Sequence, residues 1–144
     1  MLSEANGLPE TKSELLTPEQ RADTCILNIV LPIALAGAVS HNYPDSVPAF
    51  LRWHLINLVD VPMAVPAIKS ILEKTTGPVS TAFIAAATFA CGVGFEIYQA
   101  FLPKRSFDYV DVACYGVGAV VYLAARTQLI KHFRNQQQIS TAQP

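Results

Sequence analysis

Ionisable side chains recur at regular spacing within an apolar stretch, FEIYQAFLPKRSFDYVDVACYGVG, residues 95–118. Glu96 and Gln99 are three residues apart, so on a helix they share one face. A second stripe follows at steps of three and four: Asp108, Asp111, Tyr115, Gly118 and Tyr122. Arg105 lies between the two groups. The spacing therefore predicts Arg105 as the counter-ion of Glu96 or Asp111, with Gln99 bridging.

His54, Asn57 and Asp60 are also three residues apart, and we expect them to reach the same region from another helix. An ionised group in hydrocarbon costs at least about 2.5 to 3.5 kcal/mol, so these side chains must face partners or water. Together they predict either a polar pocket or a structural ion-pair cluster. A pocket would bind a polar or phosphorylated headgroup or relay protons. The energetics of buried ion pairs favour the structural alternative.

Three other chemistries are weaker. Glu96, Asp108 and Asp111 could hold a divalent cation through oxygen atoms, but Arg105 competes for the same carboxylates. A lone histidine such as His54 is more often hydrogen-bonded than a ligand of haem or chlorophyll. Ser106 as a nucleophile would have His54 as its base. Since the sequence has no P-loop, GxGxxG or zinc-protease motif, it predicts no metal, no cofactor and no catalytic residue.

The composition indicates what surrounds these groups. Of 144 residues, 51% are hydrophobic and 15% are charged, whereas a soluble domain carries roughly 25% charge. The net charge of −1 offers no basic field for nucleic acid. Cys25, Cys91 and Cys114 each lie in an apolar run and are expected to be small buried hydrophobes. The sequence therefore predicts an all-α polytopic membrane protein.

The pattern predicts a mobile polar tail over residues 1–16, a transmembrane domain over 17–134 and a disordered tail over 135–144. Four helices at about 18–40, 48–72, 78–101 and 108–131 would form an antiparallel bundle. A capping box of Thr17 and Gln20 starts the first helix. The second segment is the least hydrophobic, so a re-entrant or in-plane helix is its alternative to a span.

Small residues are expected at helix contacts. Ala82, Ala86, Ala90 and Gly94 recur every four residues in the third helix, which lets another backbone approach closely. Gly118 would serve the same purpose on the fourth helix.

Charges outside the spans predict the orientation. With four spans, the side that holds both termini carries seven of the Lys and Arg residues, and the opposite side carries three, which are Arg52, Lys104 and Arg105. Both termini are therefore predicted to be cytoplasmic, in a bacterial inner membrane or an energy-transducing membrane derived from it.

The polar pattern resembles the VanZ-like family. The matching positions are Glu96, Gln99, Arg105, Asp111 and Gly118, with Pro103 and the run Ser106-Phe107-Asp108 also in place. The match spans about 30 residues. It implies a compact four-helix membrane protein with a role in envelope lipids, the family being named for teicoplanin resistance. Tyr115 and Tyr122 depart from the asparagine and glycine that the family usually carries, and both fill space beside the stripe.

Two functions are therefore predicted. The first is a non-enzymatic accessory subunit or assembly factor that binds other membrane protein subunits. The alternative is a cell-envelope protein that binds a lipid or lipid-linked headgroup in the polar pocket. A proton- or solute-conducting carrier is weaker, because no inverted repeat is visible.

Overall fold

Four helices make up the fold. The computed structural model describes residues 16–40, 48–103 and 105–142, without the side chains of 49–53 and 141–142. Helix α1 spans Pro18–Ser40, α2 Ala49–Thr76, α3 Thr81–Ala100 and α4 Tyr109–Ala142. These described residues contain no strand, so the prediction of an all-α chain with four helices is confirmed. The predicted N-terminal tail lies almost entirely outside the described residues.

Local sequence determines where the helices begin. At the start of α1, the backbone N–H of Thr17 donates to Gln20 Oε1 at 3.0 Å, and that of Gln20 donates to Thr17 Oγ1 at 3.2 Å. This reciprocal pair confirms the predicted capping box. Ser80 caps α3 by accepting from the backbone N–H of Phe83. Gly77 ends α2 at φ 84°, a conformation that favours glycine.

Helix α4 extends well beyond its predicted end. The sequence placed the end near residue 131 and a disordered tail after 134, but the helix continues to Ala142 over 34 residues. Disorder was predicted because this segment is rich in glutamine. The physical reason for the difference is that residues 119–142 contain no glycine or proline, and glutamine, lysine and arginine are good helix formers.

Helix α2 is continuous over 28 residues, with Pro62 and Pro66 inside it. Its part from His54 to Thr76 is long and apolar enough to cross a membrane. Helices α2 and α4 each contact all three other helices and form the centre of the molecule. Gly118 lies at their closest approach, where a β-carbon would overlap the carbonyl oxygen of Leu58.

The buried core is small and mostly aliphatic. Its hydrophobic members are Ala22, Ile26, Val30, Val59, Val61, Val65, Ile84, Ala85, Tyr115 and Tyr122. Many large hydrophobic side chains instead face outward, among them Phe83, Phe101 and Val120. The cysteines were expected to be buried, but Cys25 and Cys114 are half-buried and Cys91 is exposed. All four helices are long and apolar enough to cross a membrane, which indicates a membrane protein whose outer surface suits hydrocarbon.

Candidate functional site

A polar cavity of about 380 Å³ lies where α2 and α4 begin and α3 ends. Its lining consists of His54, Glu96, Gln99, Arg105, Ser106, Asp108 and Asp111. Six of these residues belong to the predicted polar cluster, and the structure brings them together from three helices and the α3–α4 connection. Every lining side chain can donate or accept a hydrogen bond. The cavity can therefore hold a polar or charged group.

His54 and Asp111 form the shortest polar contact of this cavity. The imidazole Nδ1 lies 2.6 Å from Asp111 Oδ1, and both side chains are largely buried. Asp111 lies in the first turn of α4, where a carboxylate is favoured by the helix dipole. The partner of Asp111 is therefore a histidine of α2, and the contact fixes the relative position of two helices that are distant in the sequence.

Glu96 is the most buried acid of the cavity, with 2% of its surface exposed. Its Oε1 accepts from Gln99 Nε2 at 3.2 Å, and its Oε2 accepts from the backbone N–H of Asp108 at 3.4 Å. The carboxylate thus holds the residue that precedes α4. Asp108 in turn accepts from the backbone N–H of Val110 at 2.8 Å, which caps α4.

Arg105 does not neutralise the acids. Its Nη1 donates to Gln99 Oε1 at 3.4 Å, and the side chain is exposed. Within the described part of the chain, no carboxylate oxygen lies within 4 Å of this guanidinium. The predicted pairing of Arg105 with Glu96 or Asp111 is therefore wrong. Glu96 instead accepts from Gln99 and from the backbone N–H of Asp108, and Asp111 pairs with His54, so both carboxylates have other partners.

The other three predicted residues line a second, larger cavity. Asn57, Asp60 and Tyr115 face a groove of about 650 Å³ whose remaining lining is mostly apolar. Tyr115 donates its hydroxyl to Asn57 Oδ1 at 3.4 Å. Its ring packs against Gly92 so closely that a β-carbon there would lie 2.9 Å from the ring. We call this second cavity the α2–α3 groove.

The polar cavity and the α2–α3 groove occupy consecutive turns of the same helices. Asn57 follows His54 by three residues, Tyr115 follows Asp111 by four, and Gly92 precedes Glu96 by four. One helical turn separates such positions. The charged cavity and the mostly apolar groove are thus separate but lie about one helical turn apart.

A second polar network, absent from the prediction, lies far along α4. Asp23 Oδ1 accepts from Arg126 Nε at 2.7 Å and from the Tyr122 hydroxyl at 3.0 Å. Arg126 is 15 residues beyond Asp111, which corresponds to about 23 Å along a helix. The sequence did contain a signal, because Arg126 continues the polar stripe of α4 four residues after Tyr122.

The small-residue ridge of α3 faces away from the rest of the chain. Ala82, Ala86, Ala90 and Gly94 are all exposed, and a β-carbon on Gly94 would meet nothing within 4 Å. Ala82 and Ala86 border an apolar hollow of about 260 Å³ between α3 and α4. The ridge thus leaves its outer face open to lipid or to another helix.

Comparisons with known proteins give no relative from which a function could be transferred. Searches against family models, curated proteins and solved structures found no match to this chain.

Proposed function

We propose that this chain is a non-enzymatic integral membrane protein that binds a phosphate-containing lipid headgroup in the polar cavity. Its four apolar helices would span the bilayer as an antiparallel bundle. The short connections after α2 and α3 support this arrangement, since they allow neighbouring helices to reverse direction. Both termini would be cytoplasmic, as the bias of basic residues favours.

The observation that carries this proposal is that the polar cavity and the α2–α3 groove lie next to each other along the same helices. A lipid needs a polar recess for its headgroup and an apolar channel for its chain, one beside the other. Here the cavity lined by His54, Glu96 and Asp111 gives way within one turn to a groove lined by Val61, Phe95 and similar residues. Mostly apolar clefts with few polar groups are typical ligand sites.

Arg105 is suited to the phosphate of such a headgroup. Because it donates one hydrogen bond to Gln99 and otherwise faces solvent, its remaining donors can reach an anion at the cavity entrance. Gln99 and Ser106 line the same cavity and offer neutral hydrogen bonds. The acids below would bind hydroxyl or amine groups of the headgroup.

Membership of the VanZ-like family stays a proposal. Glu96, Gln99, Arg105 and Asp111 line one cavity, which supports a shared site. Tyr115, which replaces the usual asparagine, packs against Gly92 at the boundary with the α2–α3 groove. The tyrosine ring would narrow the passage between the headgroup and chain sites.

Lipid retention tests the headgroup role. The protein would be purified in mild detergent, and co-purifying lipid would be identified by native mass spectrometry. We expect a phospholipid bound to the wild-type chain and at least tenfold less of it on Arg105→Gln. Arg134→Gln is the matched control, because it removes an exposed positive charge from the tail end of α4. Equal lipid on both variants, or none on the wild type, would refute the proposal.

A second candidate is the accessory-subunit role, and the outward-facing ridge of α3 favours it. A row of small exposed residues lets a partner helix approach closely, and the neighbouring hollow is almost entirely apolar. Ala86→Leu and Gly94→Leu would then release other membrane subunits that co-purify with the wild-type chain. A wild-type chain that migrates alone, carrying only lipid, would contradict this role.

A further inference from the structure

The polar cavity contains a set of side chains that suits a metal ion. His54, Asp108 and Asp111 each offer one ligand atom, these atoms all lie within 4.8 Å of one another, and all three residues are half-buried. Two donors bound to one small cation at about 2.0–2.2 Å lie at most about 4.4 Å apart. Small shifts of the side chains, including some opening of the 2.6 Å contact between His54 Nδ1 and Asp111 Oδ1, would therefore bring the three atoms into coordination range.

We propose that His54, Asp108 and Asp111 bind one divalent transition-metal ion such as Zn²⁺ or Mn²⁺. One imidazole nitrogen with two carboxylate oxygens is a mixed donor set, which suits first-row transition metals better than Mg²⁺ or Ca²⁺. Three protein ligands leave a coordination position open for water or for an oxygen of a bound molecule. The site needs no lipid, so it goes beyond the headgroup role.

The charge balance of the cavity supports a cation. Asp108, Asp111 and Glu96 converge on it, and among the described residues their one ion-pair partner within 4 Å is His54. A metal site was disfavoured from the sequence because Arg105 was expected to compete for these carboxylates. Since Arg105 instead contacts Gln99, that competition is removed. Among the described lining residues, three carboxylates face one arginine and one histidine, and a divalent ion would offset this imbalance.

The ligands are also held in place by their surroundings. Glu96 accepts from the backbone N–H of Asp108, and Asp108 accepts from the backbone N–H of Val110. Hydrogen bonds of this kind orient ligating carboxylates and maintain metal affinity. His54 Nδ1 already lies 2.6 Å from Asp111 Oδ1, so binding would replace this contact with one bond from each residue to the metal. Glu96 would act as a positioning residue.

Metal titration of the full chain tests this site. The protein would be purified in detergent, treated with a chelator, and titrated with Zn²⁺ against a chromogenic chelator, or with Mn²⁺ followed by electron paramagnetic resonance. We expect one saturable ion per chain, with Mg²⁺ at least tenfold weaker. His54→Ala and Asp111→Ala should each lower Zn²⁺ affinity at least tenfold. His132→Ala, at an exposed histidine near the other end of α4, should leave it unchanged.

A third variant keeps the test decisive if His54→Ala and Asp111→Ala unfold. Asp108→Asn leaves the contact between His54 and Asp111 intact, so we expect a folded protein with at least tenfold weaker Zn²⁺ binding. Zn²⁺ should also raise the melting temperature of the wild type but not of Asp108→Asn. Failure of the wild type to bind Zn²⁺ or Mn²⁺ saturably, or unchanged affinity in Asp108→Asn, would overturn the site. Because no lipid is added, this result is separate from that of the lipid-retention experiment.

Discussion

The imidazole Nδ1 of His54 lies 2.6 Å from Oδ1 of Asp111, which joins the beginning of α2 to the beginning of α4. One turn further, Tyr115 donates to Asn57, and Gly118 then packs against the backbone of Leu58. These three successive contacts define the register of the two central helices. The polar cavity and the α2–α3 groove both depend on that register.

Loss of the His54–Asp111 contact should destabilise the protein. Asp111→Ala removes a charge-assisted hydrogen bond and leaves a largely buried imidazole without this partner, at a cost of about 1.5–3 kcal/mol. The free energy of unfolding would be measured by SDS titration in mixed micelles. Arg134→Ala, which breaks the exposed pair with Glu19, should cost less than about 1 kcal/mol. Equal stability of the two variants would argue against this contact as a register element.

Close approach at Gly118 gives a second prediction. Gly118→Ala places a methyl group against the carbonyl oxygen of Leu58, and such overpacking costs about 1–3 kcal/mol. Gly94→Ala is the matched control, because its methyl group meets nothing within 4 Å. That control should be neutral or stabilise α3 by up to about 1 kcal/mol. Unfolding in detergent would distinguish the two, and a neutral Gly118→Ala would contradict the close helix contact.

The network of Asp23 and Arg126 should be sensitive to loss of one partner. Arg126→Met leaves the largely buried Asp23 carboxylate without its cation, and breaking such a pair costs about 3–5 kcal/mol. Asp23→Asn combined with Arg126→Met should recover part of that loss, which a double-mutant cycle would measure. Arg134→Met, at a pair with 62% exposure of the arginine side chain, should cost at most about 1 kcal/mol. Additive effects at Asp23 and Arg126 would show that the pair is not coupled.

The proposed orientation can be tested by thiol labelling. In a chain whose native cysteines are replaced by serine, Ser106→Cys marks the α3–α4 connection and Ser140→Cys marks the end of α4. When the protein is expressed in a bacterium with a permeable outer membrane, an impermeant maleimide should label residue 106. Residue 140 should react only after the inner membrane is permeabilised. The reverse pattern would invert the topology.

Spacing along single helices predicted much of this structure. Steps of three and four correctly placed His54, Glu96 and Asp111 at one cavity, because a helix turn is a local property that the sequence determines. The capping box at Thr17 was likewise local. The four-helix fold followed from apolar length alone.

Pairings across helices were not predictable in the same way. Arg105 and Asp111 are close in sequence, so they looked like partners, whereas the actual partner of Asp111 is His54, 57 residues away. The helix faces that meet depend on the packing of small residues such as Gly118. The spacing of residues within one helix contains no information about how that helix is rotated against its neighbours. The same holds for Asp23 and Arg126. The end of α4 was wrongly predicted to be disordered, because its glutamine-rich composition was given more weight than the absence of glycine and proline.

The long separation between His54 and Asp111 has a consequence for biogenesis. Helix α2 leaves the ribosome 57 residues before its partner, and at about 5–20 residues per second this corresponds to roughly 3–11 seconds. During that interval His54, Asn57 and Asp60 have been synthesised without the acceptor and donor groups of α4. Retention of α2 beside the insertion machinery until α4 emerges would shield these polar groups from lipid.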